Sequence, residues 1–392
     1  MDVTKLRVAL FSGNYNYVRD GSNQALNRLV GYLQRQGAAV RVYAPTVPDP
    51  AIPANVEIVH IPAVRIPRRK EYKLPVMLPT RAKRDLRAFA PNIVHIASPD
   101  IVGHRAVTLA RKMDVAVVAS VHTRFETYLR YYGLGFVEPL IEAGLRRFYR
   151  RCDAIFAPSE SMARLLLAQR MNYDVGIWSR GIDRQVFNRG RRDMEWRRSL
   201  GIGDDVPAIG FVGRLVMEKG LEIFAGSIDR LAAGGVRHKV LIVGEGPARE
   251  WFEKRLPEAC FAGFRESEEL GRAVASMDML FNPSVTETFG NVTLEAMAAG
   301  LPVVAARATG SESLVADGVT GRLIEAGDCD AFAAALAHYC RDPDARRLAG
   351  EAGERASRRY GWDEINQALV EAYLRVIEEH RAGILPRRRP AT

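Results

Sequence analysis

No run of apolar residues in this 392-residue chain reaches the ~18 needed to span a bilayer, so a transmembrane helix is not expected. The amino terminus runs straight into a strand pattern with no secretory leader, which places the chain in the cytosol as an expectation. Cysteine is scarce: Cys152, Cys260, Cys329 and Cys340 are scattered, have no metal-ligand spacing, and read as reduced, partly buried thiols without a functional message. The first glycine-bearing loop, from Ser12 to Ser22, lacks Gly-x-Gly-x-x-Gly, and that excludes a nicotinamide dinucleotide reading.

What is plentiful is positive charge, and it is unevenly placed. Residues 1–200 hold 33 Lys and Arg against 17 Asp and Glu, and the remainder hold 23 against 29, within an overall net charge of +10. Such asymmetry points the first half at an anionic surface, a membrane or a nucleic acid, or else makes a soluble basic face. At ~150 residues per domain the length suggests two or three domains with sizeable cores.

The first half alternates strands and helices. Strand patterns at Leu6 to Phe11, Ala38 to Ala44, Val56 to Ile61, Ile93 to Ala97, Val115 to Val121 and Ala154 to Ala157 are separated by helical or loop material, which argues for a doubly wound α/β sheet. In such sheets ligands bind at the carboxyl ends of the strands. Gly13 and Gly21 lie in the first of these loops, either to admit a ligand or to make a turn. His122 ends another strand and is either a substrate contact or a structural histidine. Arg65 to Arg87 reads as basic, its first part an irregular loop broken by Pro67, Pro75 and Pro79. Basic residues interleave with aromatics over 124–132 and again over Arg146 to Arg151. That pattern suits an anionic membrane interface or a nucleic acid, the alternative being a core-packed helix with a solvated basic side.

The second half begins after a charged stretch, Asp183 to Gly203, that reads as an interdomain linker. A strand at Ala208 to Val212 leads into Gly213-Arg214 and Lys219-Gly220, where a planar fork and a flexible point charge suit a diphosphate, or pair with Glu218 or Glu222. Phe264-Arg265 follows a short strand, placed to meet a base unless Phe264 is core. Met279 to Phe281 reads as a strand and Val292 to Ala299 as a helix closed by Gly300, so Glu287 falls in the connecting loop and Glu295 inside the helix. A strand-to-helix turn offers free N–H groups to an anion, with two carboxylates beside it. The alternative makes Glu295 a first-turn dipole partner and Glu287 a solvated loop residue. Asp328-Cys329-Asp330 and Asp342-Pro343-Asp344 match a metal-binding Asp-x-Asp pattern, but both precede helices and read as caps.

Taken in order, Gly213-Arg214, Lys219, Gly244-Glu245-Gly246-Pro247 and Glu287 with Glu295 eight positions on resemble the retaining glycosyltransferases of family four, joined in the first half by His122-Thr123, Pro158-Ser159 and Arg180-Gly181-Ile182-Asp183. Within that family the run from Asn282 to Glu295 is similar to GDP-mannose-dependent α-mannosyltransferases of glycolipid synthesis, and more distantly to plant sulfoquinovosyl-diacylglycerol synthase. The resemblance implies a GT-B fold, two Rossmann-like domains facing across a cleft. Residues 1–190 would form the acceptor side and 191–361 the nucleotide-sugar side, with a helix at 362–381 crossing back to the first domain and a basic tail at 382–392. It further implies that Arg214 and Lys219 hold the donor diphosphate, that Glu295 bonds the ribose, and that Glu287 contacts the sugar. Backbone N–H groups of Phe289, Gly290 and Asn291 would meet sugar and phosphates, the Gly13 to Ser22 loop would close over the donor, and His122 would lie near the reacting carbon. No nucleophile, metal or other cofactor is expected.

The implied activity is transfer of a hexose, mannose from GDP-mannose first, to a lipid, lipid-linked or glycan acceptor at the inner face of the membrane. A UDP-sugar donor is the alternative within the class. A non-catalytic nucleic-acid-binding protein on the same scaffold is the alternative outside it; Arg214, Lys219, Glu287 and Glu295 speak against that, and no nucleic acid partner is expected.

Overall fold

The computed structural model describes residues 2–17, 20–48, 50–52, 55–66, 69–122 and 135–384. In chain order the first elements are β1 (Arg7–Phe11), α1 (Gly21–Arg35), β2 (Ala39–Ala44), β3 (Ile58–His60), β4 (Ala63–Ile66), β5 (Arg69–Pro75), α2 (Thr80–Phe89), β6 (Ile93–Ile96), α3 (Ile101–Lys112), β7 (Ala116–Ser120), α4 (Glu138–Tyr149), β8 (Ala154–Ala157), α5 (Glu160–Ala168) and β9 (Val175–Ile177). There follow α6 (Met194–Ser199), β10 (Ala208–Val212), α7 (Leu221–Ala233), β11 (Lys239–Val243), α8 (Arg249–Arg255), β12 (Cys260–Gly263), α9 (Ser267–Ala275), β13 (Met279–Asn282), α10 (Asn291–Ala298), β14 (Val303–Ala306), α11 (Thr309–Leu314), β15 (Gly321–Ile324), α12 (Cys329–Arg341), α13 (Pro343–Ser357) and α14 (Trp362–Arg381).

The chain forms two compact units, one of Met1–Arg180 with Trp362–Thr392, the other of Gly181–Gly361. The division thus falls at 180 rather than 190, and α14 belongs to the first unit, where Leu369, Val370, Tyr373, Val376 and Ile377 are buried in its core. The first unit is built on a seven-stranded parallel sheet of order β3-β2-β1-β6-β7-β8-β9, the second on a six-stranded parallel sheet of order β12-β11-β10-β13-β14-β15. Helices cover both faces, so central strands such as β6 and β7 are buried at every position and read in the sequence as apolar runs interrupted only by His95 and Ser120. In each sheet the strand order reverses once, between β1 and β6 and between β10 and β13, and it is outside the carboxyl ends of strands at such a reversal that open α/β sheets bind ligands.

Three expectations need correction. The first part of Arg65 to Arg87 is not an irregular loop: β4 and β5 pair antiparallel, with Ala63 opposite Pro75 at the strand end, where a missing N–H is tolerated. At Arg146 to Arg151 the aromatics face inward. Phe148 and Tyr149 are buried in the core, while the Arg146 and Arg150 side chains donate to the carbonyls of Gln169 and Arg170. The other aromatic-basic run, 124–132, lies outside the described residues, as does the tail beyond 384.

The third correction concerns Asp183 to Gly203, which is not a linker but part of the second unit. Ile182, Phe187 and Ile202 join its core, and the stretch lacks apolar periodicity because its main buried side chain is a cation. Arg197 is 1% exposed. Its Nη1 donates to Asp278 Oδ2 at 2.6 Å and to the Ser276 carbonyl at 3.0 Å. Asp278 also accepts from Arg192 Nη2 at 2.8 Å and from the Ala208 amide at 2.7 Å, which anchors the start of β10. Burial works against its charge, but the guanidinium groups of Arg192 and Arg197 and these donors prevail and hold the carboxyl below its usual range. The stabilisation is therefore complete above the ordinary carboxylate pKa and is lost as pH falls through the lower folded value. Asp278→Ala strands a buried guanidinium, and urea denaturation at pH 7 is expected to show a loss of ~3–5 kcal/mol; a cost under ~1 kcal/mol would mean the pair is not what holds this segment down.

Candidate active site

The second unit gathers its charged side chains at the β10–β13 reversal. β10 ends at Val212, and the chain turns through Gly213 at φ +146°. A Cβ at Gly244, in the turn after β11, would lie 1.9 Å from the Gly213 carbonyl oxygen, so the two turns pack backbone on backbone. The loop is pinned further by the Leu215 amide donating to the Glu245 carbonyl at 2.9 Å. Arg214 is exposed on this turn, and Lys219 ends a short 3-10 turn just before α7.

β13 supplies the other wall. Lys219 Nζ forms an ion pair with Glu287 Oε1, joining the loop after β10 to the loop after β13. The Glu287 carbonyl accepts from Gly310 N at 3.0 Å and Thr309 Oγ1 at 2.8 Å, so the start of α11 fixes the loop that carries the carboxylate. The six helical residues of α11, with Gly310 and two serines, show no readable apolar period in the sequence. Gly290 has φ +97° and opens α10 with no side-chain cap, leaving the first amides of Asn291 onward to a ligand or water. Asn291 Oδ1 is buried there with no partner among the described residues. Phe289 is buried against the edge of Tyr360, so what it offers a ligand is backbone.

Glu295 is half-buried on α10, and its carboxyl is pushed up to about 7, first by burial and then by the negative charge of Glu287. It is not a first-turn dipole partner, since it is the fifth residue of its helix. Phe264, 61% exposed after β12, is not core, and Arg265 beside it lies 3.6 Å from Glu269. Asp328 and Asp342 cap α12 and α13, accepting from the Ala331 and Ala345 amides at 2.9 Å each.

The first unit has its own set of polar groups at the carboxyl edge. Gly13 N donates to Ser98 Oγ at 3.2 Å, and a Cβ on Gly13 would come within 3.1 Å of Asp100 Oδ2, so a side chain here would crowd the β1–β6 reversal. Gly21 is the first residue of α1, capped by Asp20, not a loop residue. His122 follows β7. Arg180 Nη2 lies 2.8 Å from His122 Nδ1, and Ser120 Oγ lies 2.8 Å from His122 Nε2, so both ring nitrogens are engaged inside this unit. Ser120, His95 and Arg180 were not singled out for this role in the sequence, because their grouping depends on strand order.

An elevated carboxyl has a consequence for stability. Between the ordinary value of 4.5 and about 7 the folded protein keeps a proton on Glu295 that the unfolded chain has released, so this group's ionisation lowers stability as pH rises through that window. Glu295→Gln is therefore expected to raise the thermal midpoint by a few degrees at pH 8 and to leave it unchanged near pH 4.5; calorimetry showing equal midpoints at pH 8 would contradict the burial of this charge.

Comparison with known proteins adds to this geometry. The family described as Glycosyltransferase Family 4 matches residues 19–186, and that described as Glycosyl transferases group 1 matches 206–342. A GDP-mannose-dependent alpha-mannosyltransferase of Mycolicibacterium smegmatis is 33% identical over 95% of this chain and 98% of its own length. Among solved structures, sucrose-phosphate synthase from Thermosynechococcus elongatus superposes with a TM-score of 0.78 at 18% identity, over 95% of this chain and 100% of that one. HepE of Anabaena, in complex with UDP and glucose, gives 0.70 at 18% identity, over 94% and 99%. With two parallel-sheet units of GT-B type and a relative matching nearly end to end, the chain belongs to the family-four glycosyltransferases.

Proposed function

We propose that the protein transfers mannose from GDP-mannose to a lipid or lipid-linked acceptor with retention of the α configuration. The observation that carries this reading is the Lys219–Glu287 pair at the β10–β13 reversal, with Arg214 on the same turn and Glu295 on the following helix. Arg214 and Lys219 neutralise the diphosphate as it departs; Glu295 accepts from the ribose hydroxyls, and Glu287 from the sugar. The bond from the sugar's anomeric carbon to the phosphate oxygen breaks, the acceptor oxygen bonds that carbon on the same face, and the acceptor proton passes to the leaving phosphate. No side chain acts as nucleophile, and no metal is invoked: Asp328 and Asp342 cap their helices, and Asp330 and Asp344 pair with Arg230 and Arg347. Mannose and guanine are favoured by the named activity of the mycobacterial relative. A UDP-sugar donor is the second reading, supported by the fold shared with the UDP-bound Anabaena protein.

Release of nucleoside diphosphate, measured with GDP-mannose and UDP-glucose in parallel, is expected to favour GDP-mannose. Arg214→Ala and Glu295→Ala are each expected to lower turnover ~100-fold or more with an unchanged circular dichroism spectrum. Turnover of UDP-glucose alone would replace the donor, and full activity in either variant would remove the assigned site.

For the acceptor side, the first unit supports docking on an anionic membrane. Among the described residues no helix is long and apolar enough to cross a bilayer. Yet Phe136 and Leu140 at the start of α4 are 80% and 73% exposed, in a unit rich in Lys and Arg, a combination suited to the headgroup region. Flotation with vesicles containing anionic lipid is expected to recover the protein at low salt, with binding reduced ~10-fold in a Phe136→Ser, Leu140→Ser double variant. Binding to oligonucleotides but not to vesicles would overturn the membrane assignment.

A further inference from the structure

His122 sits in a line of otherwise buried polar side chains in the first unit, and the transferase reading uses no other member of that line. Arg180 Nη2 is 2.8 Å from His122 Nδ1; His122 Nε2 is 2.8 Å from Ser120 Oγ; Ser120 Oγ is 2.8 Å from His95 Nε2; and His95 Nδ1 is 2.5 Å from Tyr373 Oη. The line runs from the segment after β9, through β7 and β6, to the middle of α14. Arg180 is 5% exposed, Ser120 2%, and His95 and Tyr373 0%. Trp178 lies against the line, its ring meeting both imidazoles edge-on at 5.7 Å.

The tautomer of His122 follows from one end. A guanidinium only donates, so His122 Nδ1 must accept and the ring's single proton sits on Nε2. That N–H donates to Ser120 Oγ. With the Ser120 hydroxyl donating to His95 Nε2, the His95 proton sits on Nδ1 and donates to Tyr373 Oη. A proton added to His122 Nδ1 would face the guanidinium N–H. Burial pushes both rings toward the neutral form, with the Arg180 charge a further cause at His122, and Asp20 offsets that charge on Arg180.

We propose that Tyr373, His95 and Ser120 are positioning residues for His122, fixing its ring orientation and its Nε2–H tautomer through a one-way chain of hydrogen bonds that starts at Arg180 and ends on helix α14. The proposal rests on the transferase reading, in which His122 lies near the reacting carbon. Its physical content is that α14, more than 180 residues beyond Arg180 in sequence, supplies the last acceptor of the chain. Fixing an imidazole this way orients it without any charge change during turnover.

Nitrogen-15 spectra of the full chain labelled at histidine, at pH 7.5, test the proton placement directly. The expected pattern is an unprotonated Nδ1 and protonated Nε2 for His122, and the reverse for His95. A proton on His122 Nδ1, or a doubly protonated His122, overturns the proposal. In Tyr373→Phe, which keeps the ring and removes the acceptor, His95 is expected to move to its Nε2–H form. Donor turnover is then expected to fall ~10-fold in kcat with KM for GDP-mannose within ~2-fold. Ser120→Ala, which cuts the chain at its centre, is expected to give the same split, and it provides the kinetic test if Tyr373→Phe does not fold. Wild-type kcat and KM in both variants would overturn the positioning role. Absence of donor turnover by the wild type would remove the transferase reading and with it the catalytic consequence, whereas the spectra decide the proton arrangement separately.

Discussion

The ion pair between Lys219 and Glu287 is the contact on which the second unit's site depends, because it closes the gap between two loops that leave the sheet in opposite directions. Each loop is held independently of the pair. Gly220 has φ +76°, and a Cβ there would meet the Pro283 carbonyl oxygen at 3.0 Å; a Cβ on Gly310 would meet the Phe289 backbone at 2.9 Å. Backbone packed this closely leaves little freedom for the side chains at its edge, so cation and carboxylate stand ready before a ligand arrives. Under the proposed reading, a diphosphate entering here would compete with Glu287 for Lys219 and free the carboxylate to accept from a sugar hydroxyl. The Glu295 carboxyl, pushed up to about 7 by burial and by Glu287, would be drawn to its ionised form by a ligand that offers hydroxyl donors.

The two units follow one plan and use it differently. Both reverse strand order once, and both set glycine at the carboxyl edge of their first strand. The second unit places charges there, with the unpartnered amides of a helix start. The first places Arg180, Ser120, His95 and Tyr373 in a hydrogen-bonded line with His122, and the helix that completes it comes from the far end of the sequence. If Glu295 binds the donor as proposed, stability and function pull in opposite directions at this half-buried carboxyl.

Much of this was legible before any coordinates. Mostly apolar runs such as Val115 to Val121 pointed to the parallel strands, and the interval from Met279 to Gly300 put Glu287 on a loop and Glu295 on a helix, as observed. Asp328 and Asp342 were readable as caps because each stands directly before a helical period, while Asp330 and Asp344 fall in the first turns. Three features were not legible, for physical reasons. Arg197 takes the place of an apolar core residue, so its segment resembled a linker until Asp278, eighty-one positions away, was seen to neutralise it. Phe148 and Tyr149 face inward although arginines flank them on both sides, which composition cannot distinguish from an interfacial stripe. The Arg180 to Tyr373 chain draws on four separate elements, so only strand order and the return of α14 bring its members together.

A crystal structure of the protein with GDP-mannose bound tests the central claim most directly. It should show the ribose hydroxyls on the Glu295 carboxylate, the diphosphate on Arg214 and Lys219 with Lys219 drawn away from Glu287, and the guanine beside Phe264 and Arg265. A nucleotide bound elsewhere, or one whose ribose does not reach Glu295 while Lys219 stays paired to Glu287, would contradict it.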